Sequence, residues 1–260
     1  MDTIGDQTLE TFYEQYGVNW STTSRRELER MDTTNKVKLL CILMEGIKFD
    51  KILDFGCGMG DALEMLNERL HPKEAIGIDL SKTMVNYAKS EHPEFKFFQG
   101  SIKEIENYDV DLITFFDVLE HLPDIQAALH ITKIKSKYIG IKIPLERTWL
   151  IDLLNFLRLK KKGISRDYES EGHLYEFDRK DVEMLLKKSG LQIVRSEVHH
   201  VTTKEFWFSE NVKTRMKAKI GAIAKVKYLL YCLLGMVPFE ITIGIMRQYL
   251  GDDFYILCKT

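Results

Sequence analysis

Two runs, DLITFF at 111–116 and YIGIKI at 138–143, are apolar at nearly every position instead of at every second one. A strand with both faces apolar needs a layer on each side. Helices that cross between parallel strands supply both layers. The stretch from Lys51 to Val198 keeps that rhythm. Strands are expected at Lys51–Phe55, Ala75–Asp79, Phe95–Gln99, Leu112–Asp117, Tyr138–Ile143 and Leu191–Val198. Helical patterns fall between them at Ala62–Leu70, Lys82–Ser90, Ile125–Ile134 and Arg179–Ser189. The alternation predicts an α/β fold with a doubly wound sheet. A last strand-like run, Phe254–Lys259, follows Gly251-Asp252-Asp253. Two segments break the rhythm, Leu145–Gly172 and roughly His199–Leu250, and read as insertions on the sheet.

The balance of 37 basic and 39 acidic residues gives a net charge of −2, so no whole-chain field draws the protein to nucleic acid. Cys41, Cys57, Cys232 and Cys258 lie far apart with no CxxC pair. That spacing argues against a zinc–cysteine centre or a disulfide framework and suits a reducing cytoplasm. The opening MDTIGDQTLE is acidic and polar, unlike a secretory leader. The longest uncharged apolar run, Tyr228–Phe239, is twelve residues, too short to cross a bilayer. A soluble cytoplasmic chain is the expectation.

The sharpest local signal is KILDFGCGMGDAL, an apolar strand ending in Asp54, then a turn with Gly56, Gly58 and Gly60, then a helix. Glycines serve where backbone turns tightly and a ligand comes close. The dinucleotide fingerprint wants its third glycine at the sixth position. Here that position is Asp61, whose charge would repel a pyrophosphate at the helix start. No GK[ST] follows either, so the phosphate-loop reading fails as well. The second signal is GIDLS, in which Asp79 ends the next strand 23 residues after Gly56. A carboxylate there accepts hydrogen bonds from both ribose hydroxyls, and Ser81 is better placed to cap the helix after it. The pair points to a ligand with a ribose and without a phosphate at the loop.

DFGCGMG, GIDLS, FFQGSI and DVLEH, in this order and spacing, resemble the class I S-adenosylmethionine-dependent methyltransferases, over about Asn35 to Val198. The resemblance implies a Rossmann-like, doubly wound seven-stranded sheet, mostly parallel with a reversed terminal strand, plus helical insertions. It implies a single domain over 1–260, with 35–145 the cofactor-binding half and with 145–175 and 199–250 forming an acceptor-site lid. It places Asp54, Gly56, Cys57, Gly58 and Gly60 around the methionine part of the cofactor and Asp79 on its ribose. Leu80 and Met84 would flank the adenine, with Gly100, Ser101 and Ile102 at its edge and Asp117 and Val118 lining the same site. Many relatives have an aspartate where this chain has Ser101, whose hydroxyl can still meet an exocyclic amine.

DVLEH is similar to the branch that holds ubiquinone-biosynthesis O-methyltransferases and sugar methyltransferases. That likeness implies a Mg²⁺ ion on Asp117, Glu120 and His121, oxygen-rich ligands that suit it. Two other readings stand beside it. Glu120 and His121 can simply shape the loop over the cofactor. His121 can also serve as a general base, since an imidazole's ordinary pKa of about 6.5 suits neutral pH. His173, in EGHLYEF before the helix at 179–189, is a second candidate base. His199 and His200 are weaker, because adjacent strand residues face opposite ways.

FYEQYGVNW and SRRELER resemble the helix that closes over the cofactor, with Tyr13 or Tyr16 and Arg25 near its carboxylate. Trp149, Phe206, Trp207 and Phe208 are aromatics in the insertions, suited to a pocket or to burial, and 158–162 is a short basic run. From Asn211 to Phe239, six basic residues flank an apolar stripe at steps of three or four. That pattern suits a lid, and also a helix in peripheral contact with an anionic membrane. The expected activity is methyl transfer to a small-molecule acceptor, most naturally an oxygen. Its alternatives are an amino-sugar nitrogen, a lipid-linked quinone or glycan, or an inactive cofactor-binding module.

Overall fold

The computed structural model describes Thr11, Glu14 and residues 23–145, 173–199 and 252–260. Helix α1 (Thr23–Leu43) precedes β1 (Lys51–Phe55), α2 (Asp61–Leu70), β2 (Glu74–Asp79), α3 (Lys82–Glu91) and β3 (Lys96–Gln99). A 3₁₀ turn (Ile102–Asn107) leads to β4 (Val110–Phe116), a second 3₁₀ turn (Leu119–His121), α4 (Ile125–Lys135) and β5 (Ser136–Leu145). Beyond come α5 (Arg179–Lys188), β6 (Gln192–His199) and β7 (Asp252–Lys259). The seven strands form one sheet in the order β3-β2-β1-β4-β5-β7-β6. The first five pair in parallel, and β7 runs antiparallel to both β5 and β6. This is the doubly wound sheet with a reversed terminal strand that the alternation and the motifs imply. The insertion segments, the 211–239 stretch, Tyr13, Tyr16, Trp149, the 158–162 run, His200 and the 206–208 aromatics lie outside the described residues, as does the side chain of Arg25.

The apolar strands sort their side chains by alternation. On β1 and β4, Ile52 and Leu112 face one layer, while Leu53, Phe55, Ile113 and Phe115 face the other. The first layer is closed by Val37 and Leu40 of α1 and Met44 just beyond it, with Leu63, Leu66, Val85 and Ala88 of α2 and α3. The second is closed by Ile125 and Leu129 of α4 and by Val182 and Leu186 of α5. Arg195 on edge strand β6 donates to the carbonyls of Leu43 at 3.0 Å and Glu45 at 2.8 Å, satisfying the end of α1.

A buried lysine breaks the apolar pattern of β5. Lys142, in the middle of YIGIKI, is 4% exposed, and its ammonium lies between Asp117 after β4 and Asp253 on β7, the latter at 2.7 Å. Lys36 of α1 completes the network, at 2.8 Å from Asp117 and 2.6 Å from Asp32. Burial alone would push the Asp117 carboxyl up, but Lys142 and Lys36 override it and hold the group far below the ordinary carboxylate range. Burial works against the charge of Lys142 too, and Asp117 and Asp253 keep it protonated. Five charged groups thus tie α1, β5, β7 and the loop after β4 together. Replacing a single member strands the others without a counter-charge. Lys142→Met is expected to lower unfolding stability by about 3 kcal/mol, read as a shift in the urea midpoint at constant slope. A midpoint equal to the wild type's would show that the network contributes nothing.

Candidate active site

The chain's sheet order reverses at β1, which has β2 on one side and β4 on the other. Open α/β sheets form their ligand crevice at such a point, outside the carboxyl ends of the strands. The glycine loop leaves β1 there. Gly56, Gly58 and Gly60 all have positive φ, at 76°, 53° and 89°. A Cβ on Gly56 would stand 2.4 Å from Cγ2 of Val118, so the loops after β1 and β4 can touch only through a missing side chain. Among the described residues, no atom lies within 4 Å of where a Cβ on Gly58 would stand. Beneath Gly60 that position is taken by His92 and Phe97, and its missing side chain serves packing under the loop.

Asp79 holds this loop in place. Its Oδ2 accepts from Gly58 N–H at 2.8 Å and its Oδ1 from Ser81 N–H at 2.8 Å. A carboxylate has about four acceptor sites, so two remain for a ligand's hydroxyls. Ser81 caps α3 by accepting from Met84 N–H at 3.2 Å, as its sequence position implies. The Gly100 N–H donates to the Asp79 carbonyl at 2.9 Å, and the Gln99 side chain donates to the Leu80 carbonyl at 3.3 Å. These bonds bring Asp79, Leu80, Gly100, Ser101 and Ile102 to one rim, all of them half-buried, with Met84 half-buried on α3. Cys57 is buried behind the loop, where burial and the nearby carboxylates raise its thiol well above the ordinary range. Asp54 is 1% exposed and accepts from the Thr114 hydroxyl at 2.6 Å. Burial pushes its carboxyl up to about 7 despite that bond, with the Asp79 charge adding to the rise.

The loop after β4 differs from the sequence expectation in one respect. Strand β4 ends at Phe116, and Asp117 lies beyond it with φ of 54°, a left-handed conformation uncommon outside glycine. Its N–H donates to the Lys142 carbonyl at 3.1 Å, and its carboxylate turns to Lys142 and Lys36. Asp117 is therefore not the companion of Glu120 and His121 that an Asp117–Glu120–His121 ion site requires. Their companion is His173. The Leu174 N–H donates to the Glu120 carbonyl at 2.8 Å and Tyr175 Oη to the Pro123 carbonyl at 2.9 Å, so the loop before α5 lies along the 119–123 turn. The rings of His121 and His173 then meet edge to face, 4.7 Å between centroids. The two candidate bases from distant parts of the chain form one cluster. Glu120 beside them is 1% exposed, and among the described residues neither carboxylate oxygen has a hydrogen-bond partner. Burial pushes its carboxyl up to about 8, and the Asp117 charge pushes the same way.

His199 sits apart, on β6 against the Tyr255 ring at 6.5 Å. On the other side of the glycine loop, Arg26 and Arg30 of α1 clasp Asp61 at the start of α2. Arg26 Nη2 reaches Asp61 at 2.8 Å, and Arg30 reaches Asp61 at 2.6 Å and Glu64 at 2.7 Å. The Asp61 charge that argued against a phosphate is thus spent on arginines, and the helix that carries them sits against the cofactor loop. Glu14 accepts from the N–H groups of Lys82 and Thr83 at the start of α3. Sequence reasoning missed Lys36, Lys142 and Arg26. A lone lysine in YIGIKI was the available sign for Lys142, while no sequence periodicity distinguishes Arg26 from Arg25.

Residues 52–135 match the methyltransferase domain family. A ubiquinone biosynthesis O-methyltransferase of Alkalilimnicola ehrlichii is 33% identical over 92 residues, which are 33% of this chain and 36% of the relative. A trans-aconitate 2-methyltransferase of Rhodopseudomonas palustris is 29% identical over 93 residues, 35% of this chain and 34% of the relative. These matches span about a third of each relative's own length. A SAM dependent methyltransferase from Archaeoglobus fulgidus has a TM-score of 0.55 at 19% identity, covering 89% of this chain and 94% of the other. Magnesium protoporphyrin IX methyltransferase from Synechocystis, solved with bound SAH, gives 0.59 at 13% identity over 98% and 100%. At such identities the likeness is one of fold. Among the described residues, no helix is long and apolar enough to cross a membrane.

Proposed function

We propose that this chain, which belongs to the class I S-adenosylmethionine-dependent methyltransferases by its domain and its fold, methylates an oxygen of a small-molecule acceptor. The cradle fits the cofactor. Asp79 keeps acceptor capacity for ribose hydroxyls, Gly58 has no described residue within 4 Å of a Cβ position, and the Leu80, Met84 and Gly100–Ile102 rim offers half-buried surface for an adenine. Asp61 is committed to Arg26 and Arg30, which suits a ligand with no phosphate at the loop. When bound, S-adenosylmethionine supplies an electrophilic methyl on a sulfonium. The protein's own contribution is to align the acceptor oxygen with that carbon, exclude water and take away the acceptor's proton.

The observation that carries the oxygen reading is the His121–His173 ring contact on the loop after β4, whose Val118 stands against Gly56 of the glycine loop. An imidazole nitrogen takes the hydroxyl proton as the oxygen's electron pair forms its bond to the methyl carbon. In the same displacement the C–S pair would leave with sulfur, giving S-adenosylhomocysteine and a methyl ether. A strongly nucleophilic acceptor, such as a thiolate, would need no such base. The mutual placement of base pair and cradle makes different demands on binding and on turnover.

A screen of sugars, phenols, carboxylic acids and lipid-linked acceptors, read as homocysteine released from the product, identifies the acceptor. With it, His121→Gln and His173→Gln are each expected to lower kcat about 100-fold while leaving S-adenosylmethionine affinity unchanged. Asp79→Ala is expected to weaken that affinity about 10- to 100-fold, a loss of roughly 1.5–3 kcal/mol. Full kcat in both histidine variants would overturn the base assignment, and unchanged affinity in a folded Asp79→Ala protein would overturn the ribose site.

A further inference from the structure

The likeness to the quinone branch implies an oxygen-rich Mg²⁺ site on Asp117, Glu120 and His121, and the residues present do not fit it. The Asp117 carboxylate is shared by two ammonium groups, Lys142 and Lys36, the second at 2.8 Å. An ion there would have to displace both cations and then sit beside them. Glu120 and His121 face a different third partner. One ligand atom each from Glu120, His121 and His173 lies within 4.8 Å of the other two.

Two features distinguish this cluster from a chance grouping of polar side chains. The Glu120 carboxylate is buried, and among the described residues neither of its oxygens has a hydrogen-bond partner. A carboxylate in that state is costly unless a proton or a cation compensates it. The third donor is also built in, because the Leu174-to-Glu120 backbone bond at 2.8 Å holds the His173 loop against the turn that carries the other two. The second candidate grouping, Asp61, Glu64 and His92, lacks this property, since two arginines already occupy its carboxylates.

Two imidazoles and one carboxylate are the donor set of a borderline divalent ion. Mg²⁺ prefers oxygen ligands and retains its waters. We propose that Glu120, His121 and His173 bind one divalent cation of the Zn²⁺ and Co²⁺ class, in preference to Mg²⁺. Zinc–ligand distances of about 2.0–2.2 Å require the three donors to draw together by roughly an ångström, a movement within reach of side-chain rotation. Three protein ligands leave a position for water or for an acceptor oxygen. The lone pairs that would take the acceptor's proton are the ones an ion would take, so ion and proton compete for the same nitrogens. The inference rests on the methyl-transfer reading for the site's use, an ion there replacing the imidazole base by holding the acceptor oxygen in its open position, yet the test needs neither cofactor nor acceptor, so either idea can fail alone.

The full-length protein, stripped with chelator and dialysed, is titrated with Zn²⁺, Co²⁺ and Mg²⁺ by calorimetry, and with Co²⁺ by visible absorption. The expected result is one equivalent of Zn²⁺ or Co²⁺, with Co²⁺ d–d bands that Zn²⁺ abolishes and that millimolar Mg²⁺ leaves intact. His173→Gln and Glu120→Gln should each weaken binding at least about tenfold, whereas His92→Gln should leave it unchanged. Circular dichroism confirms that each variant is folded, and the wild-type Co²⁺ spectrum decides the matter should a variant fail to fold. Absence of Co²⁺ bands, displacement by Mg²⁺, or loss of binding in His92→Gln with retention in His173→Gln would overturn the proposal.

Discussion

Everything at this site depends on how closely the loops after β1 and β4 approach. At the point where the strand order reverses, Gly56 sits so near Val118 that a Cβ would come within 2.4 Å of its methyl. That approach places the glycine loop beside the turn carrying Glu120 and His121. Both loops are then fixed from outside the contact. Asp79 holds the first by accepting the Gly58 N–H, and the buried charge network holds the second through Asp117. The glycine loop and the turn carrying His121 come together because β1 and β4, distant in sequence, are neighbours in the sheet.

The charge network also decides what the DVLEH segment can do. Asp117 adopts a left-handed backbone conformation and turns its carboxylate to Lys36 and Lys142, which removes it from the cluster its sequence neighbours form. Glu120 is left as a buried acid whose surroundings favour the neutral form, next to two imidazoles. The same two lysines connect α1 and β5 to the loop after β4, so the position of that helix and the shape of the loop are tied together. Arg26 and Arg30 make the second attachment of that helix, to the start of α2 beside the cofactor loop.

Much of this was legible in the sequence, for identifiable reasons. Strand and helix positions follow from apolar alternation, because both faces of DLITFF and YIGIKI must be covered. The shape of the glycine loop follows from backbone requirements at Gly56 and Gly58 and from an acid at the end of β2, all local in the chain. The acceptor side was legible only in part. His121 and His173 stood out singly, but their pairing rests on a backbone hydrogen bond between residues 120 and 174, a long-range contact that no spacing announces. The displacement of Asp117 was hidden for the same reason. It depends on a lysine one strand away and another on α1, and a sequence motif carries no information on which partner a carboxylate will choose.

The most direct test of the account is a crystal structure of the protein with S-adenosylhomocysteine. The account predicts the ribose hydroxyls on the Asp79 carboxylate and the sulfur turned toward the His121–His173 pair, with room between them for a methyl group and an acceptor oxygen. A nucleoside bound away from Asp79, or a sulfur facing away from the two imidazoles, would contradict it.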